Sequence, residues 1–353
     1  MTMLLSILAA SALTVSDFDQ WLKDHPERTV IDVPSGTHET RGYWTGATAF
    51  KEGWVIRGEG MGNTVLRLTE VKDGANTVLR ADRKQRVSIS DLTIDCNGQA
   101  FGDATIKGLE FFQCGFVTVE RVEILNAVGK RPLAAARESW GIWSDAQRTV
   151  IRDCVFRDFL GGSVTAFAKG GASMGSGEIT GCMVDFEGLA MDGANQHFGL
   201  SAMNTTAFLI SGNTVIGAVR GFNHDTSQGR NLLIQDNWFL GYYWGLFVGG
   251  GFQGRIVNNL FEPGRDRCAG IVFDSSADVP GARDWIARDN VFVNPGGFQA
   301  VTAFGNRNNS TMPGLFIEEN RVDASFRSGG LGRDVARWSG NRSFPQNRSI
   351  SEP

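Results

Sequence analysis

Three short stretches carry groups capable of acid–base chemistry at matched positions. Phe198 stands two residues before Leu200, Arg220 two before Phe222 and Trp244 two before Leu246, with His197, Val219 and Tyr243 one place further back. If those three apolar residues open equivalent strands on successive layers, His197, Arg220 and Tyr243/Trp244 fall within ~10 Å of one another, at ~4.8 Å per layer. A cation, an imidazole and a phenol so grouped suit proton abstraction beside a carboxylate. That proton is poorly acidic until the carboxylate's charge is neutralised, a task for Arg220 or for a bound cation such as Ca2+. His197 or Tyr243 would take the proton, and another group would protonate the leaving oxygen. The substrate such a set expects is a polysaccharide containing uronate, and the reaction is β-elimination. Trp143 and Trp244 would stack on sugar rings. The bland alternative is that His197 caps a loop, Arg220 pairs with Asp225, and the aromatics cover a corner.

These groups need a scaffold of stacked layers, and the sequence spells one. Seven copies of a short strand pattern read IRDCVF, ITGCMV, ISGNTV, IQDNWF, IVNNLF, IARDNVF and IEENRV. Their register positions are Cys154, Cys182, Asn213, Asn237, Asn259, Asn290 and Asn320, 22 to 31 residues apart. Constant strands with variable spacing mark a coil whose turns return to one wall through loops of any length. Eight further strands begin after Gly or Ala, at residues 109, 142, 163, 200, 222, 246, 271 and 301. Alternation turns Glu110, Trp143, Val164, Ser201, Asn223, Phe247, Val272 and Thr302 outward, followed by Asp145, Met203, Asp225 and Asp274 two places on. Two long return loops, after Leu125 and after Val184, would stand as walls beside this face.

With 353 residues, 42% apolar content and 45 Gly against nine Pro, the chain suits many short strands and tight turns in one unit. Its net charge of −4 and lack of any basic run give no sign of nucleic acid. The 27 Arg outnumber seven Lys, which favours forked recognition of carboxylates and sulfates. Five cysteines without paired spacing indicate neither a disulfide framework nor zinc. Cys154 and Cys182 should stack as reduced neighbours. Residues 1–13 read as a signal-like or disordered segment, 14–26 as a capping helix with a Ser cap, 27–345 as the coil and 346–353 as a polar tail. The apolar start is too short to span a membrane, and a secreted or periplasmic location is expected.

The PSGTHE turn, the WVIRGEGMGNTVLRL segment and the Asn-bearing repeats resemble the right-handed, single-stranded parallel β-helix of the pectate-lyase-like superfamily, over residues 27 to 345. The resemblance implies an all-β solenoid with a short N-terminal capping helix, an internal asparagine ladder, and substrate lying along the first-strand face. It does not choose among lyases, hydrolases, epimerases, fructan-transforming enzymes and adhesins. GFNHDTSQGRNLLIQDNWF (221–239) is faintly similar to the catalytic stretch of alginate C5-epimerases. Only His224 and Asp225 carry over, and alternation turns His224 inward as a buried, hydrogen-bonded residue while Asp225 faces the groove. The polygalacturonase signature and the pectate-lyase calcium motif are absent.

The expected activity is therefore lyase-like, or C5-epimerisation. Its candidate catalytic residues are His197, Arg220, Tyr243, Asp225, Asp192 and Glu187, with Trp143, Asn223, Trp244 and Lys169 binding substrate. A rival is a glycoside hydrolase or fructan transferase using Glu187 and Asp192 with Asp145, Asp225 or Asp274. Another is a non-catalytic glycan-binding β-helix. No protein-bound metal site is spelled out, homotrimers are one expected assembly, and neither nucleic acid nor membrane is an expected partner. His25 and His38 read as surface residues, and GEGMG (58–62) as a turn rather than a phosphate loop.

Overall fold

A computed structural model describes residues 17–43, 51–72, 75–101, 104–127, 139–157, 164–167, 175–186, 198–224, 229–264, 268–274, 282–293, 299–304, 314–323, 335–344 and 348–349. The chain winds into a coil of parallel strands, and the only antiparallel pair among the described residues joins Arg342–Phe344 to Arg348–Ser349. One wall is a nine-stranded sheet. Its strands run Ala75–Asp82, Thr105–Phe112, Trp140–Asp145, Val164–Phe167, Phe198–Met203, Arg220–His224, Trp244–Val248, Ala269–Asp274 and Gln299–Phe304. The remaining walls form a 23-stranded sheet. A helix, Phe18–Asp24, closes the N-terminal end, burying Phe18, Trp21 and Leu22. Its cap is Asp17, whose carboxylate accepts from the Gln20 amide at 2.9 Å, rather than the serine before it.

Glycine marks the first strands for a steric reason. A Cβ on Gly199 would stand 2.6 Å from the Gly221 carbonyl oxygen, one on Gly221 2.5 Å from that of Gly245, and one on Gly245 2.5 Å from that of Gly270. Bare backbone on each layer lets the next layer close down on it. One layer departs from the expected register: Val164 pairs with Ile142, and Thr165 pairs with Trp143. By register this layer is offset by one residue from the expected one. The first of the nine strands, Ala75–Asp82, has Val78 where the next strand has Gly108 and goes unmarked in the sequence.

The inward column Leu109, Ile142, Leu200, Phe222, Leu246 and Ile271 is fully buried. Before each ladder residue the chain turns through a left-handed residue, among them Asp236 (φ 58°), Asn258 (φ 56°) and Asp289 (φ 56°). Asp and Asn tolerate that conformation better than other side chains. Each turn then delivers an amide inward. Asn213 Nδ2 donates to Asn237 Oδ1, Asn237 to Asn259, Asn259 to Asn290, Asn290 to Asn320 and Asn320 to Asn341, all at 2.9–3.0 Å. The ladder therefore extends one coil beyond the seven copies, to Asn341. Below it Cys182 N donates to Asn213 Oδ1, and Cys154 and Cys182 are buried free thiols. His38 is 3% exposed, not a surface residue; its Nε2 lies 3.0 Å from the Pro34 carbonyl inside the first coil.

Candidate functional site

Parallel register places Phe198 beside Arg220, Arg220 beside Trp244 and Trp244 beside Ala269. The next outward column runs Ser201, Asn223, Phe247 and Val272. On each strand the first column lies three residues ahead of the second, separated by the close-packed glycine and the inward residue. The first column's side chain leans over the second. Arg220 Nη1 donates to Asn223 Oδ1 at 2.6 Å, and Trp244 stacks on Phe247 with ring centroids 5.4 Å apart. This overlap explains why outward residues are nonetheless buried: Asn223 is 1% exposed, Phe247 5% and Val272 0%.

Arg220 sits in an aromatic cradle. Its guanidinium carbon is 3.9 Å from the Phe247 ring centroid, 5.0 Å from that of Phe198 and 5.1 Å from that of Trp244. Ring faces attract the cation without neutralising it. Asn223 orients the guanidinium without adding negative charge. Tyr243, 38% exposed, flanks Trp244 at 5.5 Å between ring centroids. Arg220, Asn223, Tyr243 and Trp244 thus form one cluster on adjacent strands.

Trp143 does not join them. It lies three strands away on the same face, ~14 Å along the coil at ~4.8 Å per strand. Lys107 Nζ sits 4.5 Å from its ring centroid and 2.5 Å from Glu110 Oε1, while Glu110 also accepts from Thr77 Oγ1 and Arg80 Nη1. Sequence reading missed Lys107, and it missed Phe198 and Phe247 as the Arg220 cradle. The signal was present in the repeated pattern of any residue, Gly, an apolar residue and any residue: KGLE, WGIW, FGLS, RGFN, WGLF and AGIV.

His224 faces inward and is fully buried. Its Nδ1 donates to the Ala202 carbonyl at 2.5 Å, and Nε2 has no hydrogen-bond partner. Burial lowers its pKa to about 4, so near neutral pH the ring is uncharged and serves the core. His197, Asp192, Glu187, Asp225 and Lys169 lie outside the described residues, as do the two long return loops. Asp145 is described and is 6% exposed at the end of the Trp143 strand. Among the described residues no three His, Cys, Asp or Glu side chains converge. No helix among them is long and apolar enough to cross a membrane.

No protein-family model matches the sequence, and no curated protein matches it. Solved structures do match in shape. The Azotobacter vinelandii mannuronan C-5 epimerase AlgE6 A-module superposes with a TM-score of 0.60 at 16% identity, over 94% of this chain and 96% of that one. The tailspike of E. coli bacteriophage HK620, solved with a pentasaccharide, gives 0.63 at 12% identity over 94% of this chain and 62% of that one. The alginate lyase AlyF-OU02, solved with G6, gives 0.52 at 14% identity over 92% and 81%. Likeness at such identities is a likeness of fold. Together with the parallel sheets and the asparagine ladder, it establishes that the chain has the right-handed parallel β-helix fold.

Proposed function

We propose that the chain is an exported enzyme that acts on a polysaccharide rich in uronate, by abstraction of the C5 proton. The observation that carries this reading is Arg220, oriented by Asn223 and cradled by Phe198, Trp244 and Phe247 on the outward face. A fixed guanidinium would bind the uronate carboxylate through a forked pair of hydrogen bonds and spread the charge that develops as C5 loses its proton. Trp244 would hold the sugar ring, and Tyr243 lies at the exposed edge where a proton can be passed. His197 adjoins Phe198, the strand partner of Arg220, and is assigned the second proton-handling role. Asp192, Glu187, Asp225 and Lys169 are proposed to line the same groove.

In elimination the base takes the C5 proton, the electron pair forms the C4=C5 double bond, the C4–O bond breaks, and the departing oxygen gains a proton. In epimerisation the same carbanion is reprotonated from the opposite face. Among proteins of this fold, one neighbour is a mannuronan C-5 epimerase and another an alginate lyase, so the fold accommodates both outcomes.

The test is incubation with alginate, pectate, glycosaminoglycans and neutral fructans and glucans, read by ultraviolet absorbance, mass spectrometry and NMR. Unsaturated ends establish elimination, and inverted C5 centres without chain cleavage establish epimerisation. Products heavier by water, or action on neutral polymers alone, overturn the reading in favour of paired carboxylates. Binding without any product overturns it in favour of a glycan-binding module.

A further inference from the structure

The corner beyond the far end of the first strands carries an exposed column of arginine and phenylalanine. Strand register stacks Arg86, Phe116, Arg148 and Ser176 on successive layers, and higher up Thr206, Arg230, Phe252 and Arg283. The order Arg, Phe, Arg therefore occurs twice, and all four arginines are exposed. In each triplet the upper arginine leans on the ring below it, Arg148 at 5.4 Å from the Phe116 centroid and Arg283 at 6.0 Å from that of Phe252. Outward arginines elsewhere are matched to carboxylates: Arg57 to Asp32, Arg67 to Asp95, Arg121 to Asp91 and Arg152 to Glu178. Among the described residues no such ion pair forms at Arg86, Arg148, Arg230 or Arg283.

The upper triplet borders a cleft of about 500 Å3. Asn231, Gln253 and Asp284 each follow a column residue in the left-handed conformation, at φ 55°, 57° and 56°, and line this cleft. Arg255 stands between Leu233 and Ile286 in the next column and, among the described residues, has no ion-pair partner. Asp284 is the one carboxylate among the described lining residues, and its Oδ1 is turned towards the next layer, where a Cβ on Gly314 would stand 2.3 Å from it. The corner thus sets Arg230, Arg255 and Arg283 against a single acid, an excess of positive charge that favours an anion. The amides of Asn231 and Gln253 beside aliphatic Leu233 and Ile286 suit a hydroxylated ring.

We propose that this corner is a second, non-catalytic track for a linear polyuronate lying along the coil axis. In a flat-ribbon chain of 1,4-linked uronates, alternate carboxylates point to the same edge, and each ring advances the chain by about one strand spacing. Arg230 and Arg283 are two layers apart, ~9.6 Å at ~4.8 Å per layer, so each takes one carboxylate of that edge through a forked pair of hydrogen bonds. The intervening ring turns its carboxylate away and lies over Phe252. A nucleic-acid strand, with a phosphate on every unit, fits alternating cations less well. Arg220 opens its strand, whereas this corner lies past the strand's close at His224. The track is therefore separate from the proposed catalytic groove and does not depend on the chemistry assigned there.

Isothermal titration calorimetry of the full chain carrying Arg220→Ala, which lacks the groove's proposed anchor, tests the track. The probes are a mannuronate hexamer, cellohexaose and a single-stranded oligonucleotide. The expected result is binding of the mannuronate hexamer, weakened at least ~tenfold by Arg230→Ser and again by Arg283→Ser, the scale of one hydrogen bond to a charged group. Circular dichroism and melting should be unchanged at these exposed positions. Arg230→Lys with Arg283→Lys keeps the charge without the fork and should recover only part of the affinity, which separates the loss from a folding defect. Binding by the unsubstituted protein but not by Arg220→Ala assigns all affinity to the groove and overturns the track. Binding indifferent to Arg230 and Arg283, equal binding of cellohexaose, tighter binding of the oligonucleotide, or no binding by either protein also overturns it. Because the readout is binding in a chain without Arg220, a failure of the proposed reaction leaves this result distinct.

Discussion

Arg220 and Asn223 are joined by a hydrogen bond of 2.6 Å between Nη1 and Oδ1, three residues apart along one strand. Lys107 and Glu110 hold equivalent places on a lower strand, at 2.5 Å. The geometry is shared but the partner differs. Glu110 is a carboxylate that also binds Arg80 and Thr77, so the lower pair is locked into a neutralised cluster. Asn223 fixes its cation without contributing charge. Under the proposed function the upper position is the one assigned to the anionic sugar.

Replacing Arg220 by Ala should therefore reduce kcat/KM on the acidic polymer by at least ~100-fold, the scale seen when one charge-stabilising donor is removed. Arg220→Lys should rescue little, because an ammonium lacks the planar fork and stacks less well between rings. Asn223→Ala, which frees the guanidinium to wander, should cost about tenfold, in line with the loss of one hydrogen bond to a charged group. Steady-state kinetics on the preferred polymer provide the check. An Arg220→Ala enzyme with unaltered kcat/KM removes Arg220 from the reaction.

The ladder can be probed at Asn259. Its Oδ1 accepts from both the amide and the side chain of Asn237, and its Nδ2 donates to Asn290 Oδ1 and to the Ile234 carbonyl. Asn259→Ala strands several of these groups in a buried coil at about 1–3 kcal/mol each. Urea unfolding should show a loss of at least about 3 kcal/mol. A loss below about 1 kcal/mol would mean that the amides do not act as a connected stack.

How much of this could be read beforehand depended on which residues obey a period. The coil, the direction of its side chains and the stacking of Phe198, Arg220 and Trp244 follow from repeated strands and from glycines at points of close approach. The last repeat, WSGNRSF, reads only weakly because it lacks the aliphatic opening of the other copies. Val164 was misplaced because GGS in front of it offers several glycine-like starts, and one residue of slip reverses a strand's faces. The burial of Asn223 and Phe247 could not be read from alternation. It arises from side chains three residues upstream leaning across, a contact created by the shape of the strand.

The buried thiols give a third prediction. Cys96, Cys114, Cys154, Cys182 and Cys268 are all buried and none is in a disulfide. Burial and the neighbouring Cys154 push the Cys182 thiol well above its ordinary pKa, and burial raises Cys96 and Cys114 as well. Since the thiolate is the reactive form, folded protein should resist a thiol-specific chromogenic disulfide. Unfolding in guanidinium should release all five cysteines of the chain. Rapid labelling of the native protein would contradict the reduced, interior ladder.

His224 ties stability to pH. Burial lowers its folded pKa to about 4 from an ordinary 6.5, so the unfolded chain binds a proton more readily than the folded one. The stability linked to this ring is fully present above about pH 6.5. It falls as pH drops towards about 4, because only the unfolded state gains the proton over that range, and below about 4 it falls no further. A shift of this size corresponds to about 3 kcal/mol at the acid limit. The ring has no room to escape: its Nδ1 is fixed to Ala202, it packs on Trp285 with centroids 5.9 Å apart, and a Cβ on Gly251 would stand 2.5 Å from Nε2. His224→Gln retains a donor for the Ala202 carbonyl but has no proton to gain in this range. Urea midpoints measured from pH 4 to pH 8 should fall more steeply with acid for the native sequence than for this variant. Parallel curves for the two proteins would show that His224 is charged or solvated in the folded coil and would refute its interior placement.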